Sequence, residues 1–387
     1  MSLLPCPLPS RHHDWPALTR QFDWIRAMQD CPQDPIHHAE GDVWIHVNLV
    51  CEALLQLPEW QELPEAQREI VYTAALLHDV SKPACTRSED GRITARGHSQ
   101  QGAIAARRIL WECGADIEAR EQVCALVRYH QIPFYLIERA DSQRMALRIS
   151  QQTRCAHLTM LAKADALGRI CQDQQGLLLK ISLFEELCRE QGCLDHAWQF
   201  PSPLSRFEYF RREGRNPNYL VHETPAFEVI LMAGLPGSGK DTWLARYAPE
   251  LPVISLDQIR EEIGAPPTGN QGEVVQAAKE RARVYLRAGK SFAWNATNLT
   301  RDIRTPLIDL FTDYNARVKI VHIEAPANSL FTRVDKRERQ VPVQAIERML
   351  ERWDMPDAME APIVEWWRNE DDFSPVTVGQ RTPQQDA

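Results

Sequence analysis

What this sequence lacks narrows its class. No run approaches the roughly 18 apolar residues that a membrane-spanning helix needs, and the opening stretch MSLLPCPLPSRHHDW has no apolar core like that of a signal peptide. The ten cysteines form no CxxC pair and no cysteine–histidine set at zinc-finger spacing. They read as reduced, mostly buried thiols of a cytoplasmic protein. An excess of positive charge is also missing. The net charge is −9, so any contact with nucleic acid needs a local basic patch rather than a global field. No internal repeat is present, and the only biased tract is the short polar tail GQRTPQQDA. Histidine is scarce in the back half: of twelve, only His222 and His322 follow His196. Imidazole metal ligands therefore belong to the front half.

What is present falls into two patterns. From about Ala17 to Glu190, segments such as DVWIHVNLVCEALLQL and HLTMLAKADALGRI repeat apolar residues at three and four, the helical period. Strand signals there are confined to a turn or short hairpin at RSEDGRITARG. From Phe227 the runs FEVILMAG, PVISLD, SFAWNAT and RVKIVHIEA alternate with helical segments, the signature of a parallel sheet with helices on its faces; SPVTVG offers a fifth strand. Between them lies a Pro-, Arg- and aromatic-rich stretch, read as an ordered connector because its aromatics need somewhere to pack. The expectation is a multidomain chain: an all-α bundle over residues 1–195, a connector over 196–225, and an α/β domain with a parallel sheet over 226–387.

The segment GLPGSGK, from Gly234 to Lys240, follows a predicted strand and opens a predicted helix. That is the context of a P-loop, in which glycines let backbone N–H groups approach phosphate oxygens. Gly234, Gly237, Ser238, Gly239 and Lys240 are the predicted nucleotide contacts, with Lys240 adding a full positive charge. The usual Ser or Thr after the lysine is replaced by Asp241, with Thr242 next; either would handle magnesium, the carboxylate because it suits a hard cation. Asp257 is placed as a general base for an attacking hydroxyl, or as a helix N-cap. Thr297, Asn298 and Arg301 gather after another strand, and Arg333 and Arg337, four apart, fit a lid over the nucleotide.

In the front half, six residues lie on or at the start of predicted helices: His46, His78, Asp79, His98, His130 and Asp165. Polar residues inside apolar helical faces are costly unless paired or metal-bound, and imidazole with carboxylate suits first-row divalent metals. Lys82 reads either as a surface lysine or as a group that neutralises a phosphate or protonates a leaving alkoxide. His37 or His38 could line the same pocket.

Two resemblances follow. The strings EGDVWIHVNLV, ALLHDVSKP, GHSQQGA, VRYHQIP and KADALGR, over about Pro35 to Ile170, resemble the HD phosphohydrolase superfamily. That likeness implies one metal site from His46, His78, Asp79 and Asp165, and a second from His98 and His130, bridged by Asp79. The segment from about Phe227 to Trp353 resembles the 5′-OH polynucleotide kinases, through GLPGSGKDT, Asp257 with Arg260, ATN followed by Arg, and Arg333 with Arg337 ahead of VP. That likeness implies Asp257 as base, Arg260 on the acceptor's 3′-side phosphate, and the lid arginines on the donor nucleotide.

Together the halves look like the bifunctional HD-domain polynucleotide kinases. The likeness implies ATP or another NTP with Mg²⁺ in the kinase, two divalent transition metals of the Mn, Co, Ni or Fe kind in the HD site, RNA ends and secondarily DNA ends as substrates, and cooperation with a separate ligase. Two alternatives stand beside it: an HD nucleotidase fused to a nucleoside-type kinase, and an ATP-dependent nucleic-acid sensor without turnover.

Overall fold

The computed structural model describes residues 3–4, 15–89, 91–222, 225, 227–266, 271–336 and 341–379. The chain divides into two compact units, one of Met1–Gln199 with Gly379–Ala387 and one of Phe200–Val378, so the second ends short of the expected residue 387.

The first unit is helical, with main helices Val43–Gln56, Glu65–Leu77, His98–Glu112, Ile117–Tyr129, Cys155–Gly168 and Gln174–Glu190. Starts are set by short acidic side chains: Asp42 accepts from the Ile45 N–H at 2.8 Å, and Asp116 from the Ala119 N–H at 3.1 Å. The Val43–Gln56 helix buries Val43, Val47, Val50, Cys51 and Leu54. The Cys155–Gly168 helix is buried almost all round, so it forms the centre of the bundle. These two helices touch at Gly168. A Cβ there would lie 2.7 Å from Val50 Cγ2 and 2.8 Å from the Val50 backbone nitrogen. Only glycine allows that approach, and it sets His46 and Asp165, each one turn back along its helix, face to face. The hairpin expected at RSEDGRITARG is present as β1 (Arg87–Glu89) paired antiparallel with β2 (Arg92–Thr94).

The second unit carries a six-stranded sheet built from β3 (Phe227–Ala233), β4 (Val253–Ser255), β5 (Phe292–Asn295), β6 (Ala316–Glu324), β7 (Ile363–Asn369) and β8 (Phe373–Val376). The order is β4-β5-β3-β6-β7-β8; the first five strands are parallel, and β8 runs antiparallel to β7. β3 alternates between two cores. Val229 and Leu231 join Phe292, Trp294 and Phe311 on one face, while Ile230 and Met232 meet Trp243, Leu244 and Ile323 on the other. The run SPVTVG contributes to β8, the sixth strand rather than the fifth. The fifth, β7, has the sequence IVEWWRN, whose adjacent tryptophans and mixed charges show neither simple alternation nor an apolar run. Pro375 sits in the edge strand, where a missing N–H is tolerated. Residues 200–222 belong to this unit: Ser202 caps the Pro203–Arg211 helix, and Phe207 enters the sheet's core.

Candidate active sites

All six residues of the front-half set come together in the first unit. His46 lies on the Val43–Gln56 helix, His78 and His130 directly follow two helices, His98 begins another, and Asp165 lies on the central helix. Each is 6 % exposed or less. The backbone orients three of the rings. The Nδ1–H of His78 donates to Ala75 O at 2.7 Å, that of His98 to Ala95 O at 2.6 Å, and that of His130 to Val127 O at 2.7 Å. His46 Nδ1 lies 2.9 Å from Glu40 Oε1. Every Nε2 is thereby turned to the centre, the arrangement by which an outer partner fixes the tautomer of a metal-binding imidazole.

Asp79 stands between two histidine pairs. Its Oδ2 is 3.3 Å from His78 Nε2 and 3.8 Å from His46 Nε2; its Oδ1 is 3.3 Å from His98 Nε2 and 3.8 Å from His130 Nε2. Asp165 Oδ1 approaches His46 Nε2 at 3.2 Å. Within each pair the Nε2 atoms are 3.4 Å apart, His46 to His78 and His98 to His130. Neutral imidazoles in these tautomers point lone pair at lone pair, which is unfavourable unless a cation lies between them. Asp79 Oδ1 is buried without a hydrogen-bond donor. These donors therefore fit two cations sharing Asp79, one on each side. Burial opposes charge on Asp79, but the neighbouring cationic groups, led by the Lys82 ammonium, outweigh it and hold the carboxyl well below the usual range. Burial, reinforced by His78 and His98, pushes His130 down to about 3, so this ring is neutral and ready to ligate at pH 7.

Lys82 is buried, not a surface lysine: its Nζ lies 2.7 Å from Asp79 Oδ2 and 2.6 Å from Gln33 Oε1. Glu40 and Arg169 had no role in the sequence reading. Glu40 spans His38 Nδ1 at 2.8 Å and His46 Nδ1 at 2.9 Å. Arg169 grips Asp165 with two hydrogen bonds of 2.8 and 2.9 Å and lies over the Phe134 ring. The spacing of Asp165 and Arg169, four apart on a helix, was the available signal. A cavity of about 450 Å³ opens onto this centre, lined by Lys82, His98, Arg169, His37 and the hairpin-side Arg92 and Arg96.

In the second unit, the loop from Gly234 to Gly239 joins β3 to the Lys240–Tyr247 helix. Gly234, Gly237 and Gly239 have φ of 136°, 83° and 104°, and an added Cβ at Gly234 would lie 2.3 Å from Ile323 O. Lys240 Nζ donates to the loop's own Gly234 O at 2.9 Å and Leu235 O at 3.0 Å, carbonyls that stand in for phosphate oxygens. Ser238 Oγ is buried inside the loop without a partner. Positive-φ glycines, a lysine bent across the loop and an unsatisfied hydroxyl fit a bound polyphosphate.

The remaining predicted residues divide. Asp241 accepts from Asn295 Nδ2 at 2.6 Å, and Thr242 is exposed beside it. β4 ends at Ser255, and Ser255, not Asp257, is the N-cap of the Leu256–Glu262 helix. Asp257 lies in the first turn, its side chain 79 % exposed and paired with Arg260, whose Nε donates to Gln271 at 2.8 Å. Thr297 O accepts from the Gly234 N–H at 2.9 Å, tying the third strand-end segment to the loop. Asn298, with φ of 43°, gives its amide to Met232 O at 2.7 Å. Arg301 is 2.7 Å from Asp357 and 3.5 Å from Glu360. Arg304, which follows Arg301 in the same segment, is fully buried and bidentate to Glu360, and it also donates to Asn298 O and Asp354 O. Arg333 donates to Glu370 O at 2.7 Å, while Arg337 lies outside the described residues.

Comparison with known proteins gives two family matches. Residues 43–168 match the HD domain and residues 229–356 an AAA domain. They bear out the tandem read from the sequence: an HD domain ahead of a P-loop kinase-type domain. The chain is 32 % identical over 114 residues to a multifunctional CCA protein of Halorhodospira halophila, a match covering 30 % of this chain and a quarter of that relative's length. Among solved structures, a sugar kinase from Janibacter sp. HTCC2649 is 21 % identical over 37 % of this chain and 85 % of its own, with a TM-score of 0.29. A Pnkp1/Rnl/Hen1 complex is 17 % identical over 32 % of this chain and 43 % of its own, with a TM-score of 0.27. At such scores these likenesses choose no substrate. Among the described residues, no helix is long and apolar enough to cross a membrane.

Proposed function

We propose that this chain heals nucleic-acid ends with two active sites. The HD unit hydrolyses 2′,3′-cyclic phosphate or 2′/3′-phosphate ends, and the P-loop unit phosphorylates 5′-OH ends from ATP or a similar NTP with Mg²⁺. The observation that carries the reading is the joint presence of a cation-lined pocket over the Asp79-bridged donor set and a P-loop in a unit that also carries the exposed, Arg260-paired carboxylate of Asp257.

In the HD pocket, divalent cations held by His46, His78, Asp79 and Asp165 on one side, and His98, His130 and Asp79 on the other, would polarise the phosphate and acidify an attacking water. The chain's own groups do the rest. Lys82 and Arg169, both fixed by carboxylates, face the pocket and offset phosphate charge. Arg92 and Arg96 at the rim suit the phosphodiester backbone leading to the end. In the P-loop unit, loop N–H groups and Lys240 hold the triphosphate. The bond from the γ-phosphorus to the β-bridging oxygen breaks as the 5′-oxygen bonds to that phosphorus, and the hydroxyl proton passes to Asp257. Arg260, one turn from Asp257, is assigned the acceptor phosphate, and the roles of Arg333 and Arg337 on the donor nucleotide are part of the same reading. The reading extends to RNA and then DNA as substrates and to a separate ligase that uses the healed ends.

One observation favours a smaller acceptor. Asn298 and Arg301 are engaged by the protein's own groups, which leaves one amide and one cation fewer for a polynucleotide. An HD nucleotidase joined to a nucleoside-type kinase would need no more.

The test is end analysis on a short RNA with a 5′-OH and a 2′,3′-cyclic phosphate, incubated with ATP, Mg²⁺ and in turn Mn²⁺, Co²⁺ and Ni²⁺. A product with a 5′-phosphate and no terminal phosphodiester is expected. Reaction of free nucleosides or nucleotides alone would replace end healing with the smaller-acceptor reading. Binding without turnover under every metal would leave a sensor.

A further inference from the structure

Three cysteines outside both sites converge in the first unit. Cys155 opens the central Cys155–Gly168 helix, Cys188 lies in the last turn of the Gln174–Glu190 helix, and Cys193 follows that helix. Their Sγ atoms lie within 4.8 Å of one another, and all three residues are fully buried.

The backbone brings them together. Gly192 has a φ of 65°; its N–H returns to Arg189 O at 3.0 Å, and the Cys193 N–H returns to Cys188 O at 2.8 Å. That is a Schellman turn, which places Cys193 against Cys188. The Ala156 N–H then donates to Leu194 O at 2.9 Å, which fastens the start of the central helix to the same turn. A Schellman turn accounts for an apolar contact between its own two residues, and any apolar pair would serve. It does not call for a third sulfur from another helix.

Three sulfurs around one point suit a soft cation. At a zinc–sulfur bond of about 2.3 Å, tetrahedral sulfurs stand roughly 3.8 Å apart, so a contraction of at most about 1 Å closes the set.

We propose that Cys155, Cys188 and Cys193 form a structural site for a soft d¹⁰ cation of the zinc or copper(I) class. It clamps the end of the Gln174–Glu190 helix to the start of the helix that carries Asp165. The inference is independent of the end-healing reading, because these thiols touch neither substrate pocket.

The test uses the reduced full-length protein loaded with Co²⁺ or Cd²⁺. Thiolate ligands give a near-ultraviolet charge-transfer band, which the nitrogen and oxygen donors of the HD site do not. The band is expected in the wild type, in Asp79→Ala, which disables the HD centre, and in Cys113→Ser, which alters an exposed cysteine. It should disappear, with one equivalent of metal, in Cys155→Ser and Cys188→Ser. Should those variants fail to fold, alkylation of the native wild type decides: the three thiols should be protected by bound metal and lose that protection after chelation. No thiolate band in the wild type, a band that survives in folded Cys188→Ser, or alkylation indifferent to metal would overturn the proposal.

Discussion

Gly168→Ala separates intrinsic helix propensity from packing at a close approach, where the helix of Gly168 meets the backbone of the helix that carries His46. By propensity alone, alanine in place of a helical glycine stabilises by about 1 kcal/mol. Packing opposes this. The new Cβ would lie 2.7 Å from Val50 Cγ2, 2.8 Å from Val50 N and 3.0 Å from Val50 Cα. Two of those three atoms belong to backbone, so a rotamer change does not relieve the overlap and the helices must separate. Overpacking of this kind costs about 1–3 kcal/mol, which exceeds or cancels the propensity gain. His46 Nε2 and Asp165 Oδ1, now 3.2 Å apart, lie one turn from the contact and would move with it.

The expected result is a lower urea midpoint for the HD unit and a loss of phosphoesterase activity that exceeds the loss of stability, with kinase activity unchanged. Adding Val50→Ala removes only the Cγ2 contact, so the double variant should recover part of the loss at most. Urea unfolding followed by circular dichroism, alongside both activities, checks this. A Gly168→Ala protein that is more stable, with full esterase activity, would refute the argument that close approach positions these ligands.

Three further predictions concern separate parts of the chain. Asp79→Ala should abolish phosphoesterase activity and spare the kinase, whereas Lys240→Ala or Asp257→Ala should do the reverse; parallel end-analysis assays decide, and loss of both activities in a folded variant would deny two independent sites. Arg304 is fully buried against Glu360, and removing one member of a buried pair costs about 3–5 kcal/mol, so Arg304→Met should markedly destabilise the second unit in thermal unfolding. Burial opposes charge on Glu121, but Arg107 and Arg120 outweigh it and hold its carboxyl below the ordinary 4.5. The unfolded chain therefore takes up that proton first: the stabilisation is complete above about pH 4.5 and is lost as pH falls through the lower folded value. Glu121→Gln should flatten this acid limb of the stability profile, and an unchanged limb would place the acid sensitivity elsewhere.

The sequence by itself determined the two-part architecture, because helical period, strand–loop–helix context and the glycines of the P-loop are all written in neighbouring residues. It also supplied the six His and Asp donors, whose order along the chain marks them as a set. Features made by convergence were not legible. Glu40 and Arg169 sit within or beside the marked motifs, yet only packing shows that one orients His46 and the other holds Asp165. Lys82 reads equally well as a surface residue until the bundle closes over it. Asn298 and Arg301 carry the chemistry of substrate ligands, but the fold directs one to the end of β3 and the other to Asp357. The three converging cysteines stand 33 and 5 residues apart, a spacing that reports nothing until two helix ends meet. Local sequence fixes backbone conformation because its determinants are nearest neighbours. Which side chains share a charge, a ligand or a proton depends on distances between elements, and those are settled only when the helices and sheet pack.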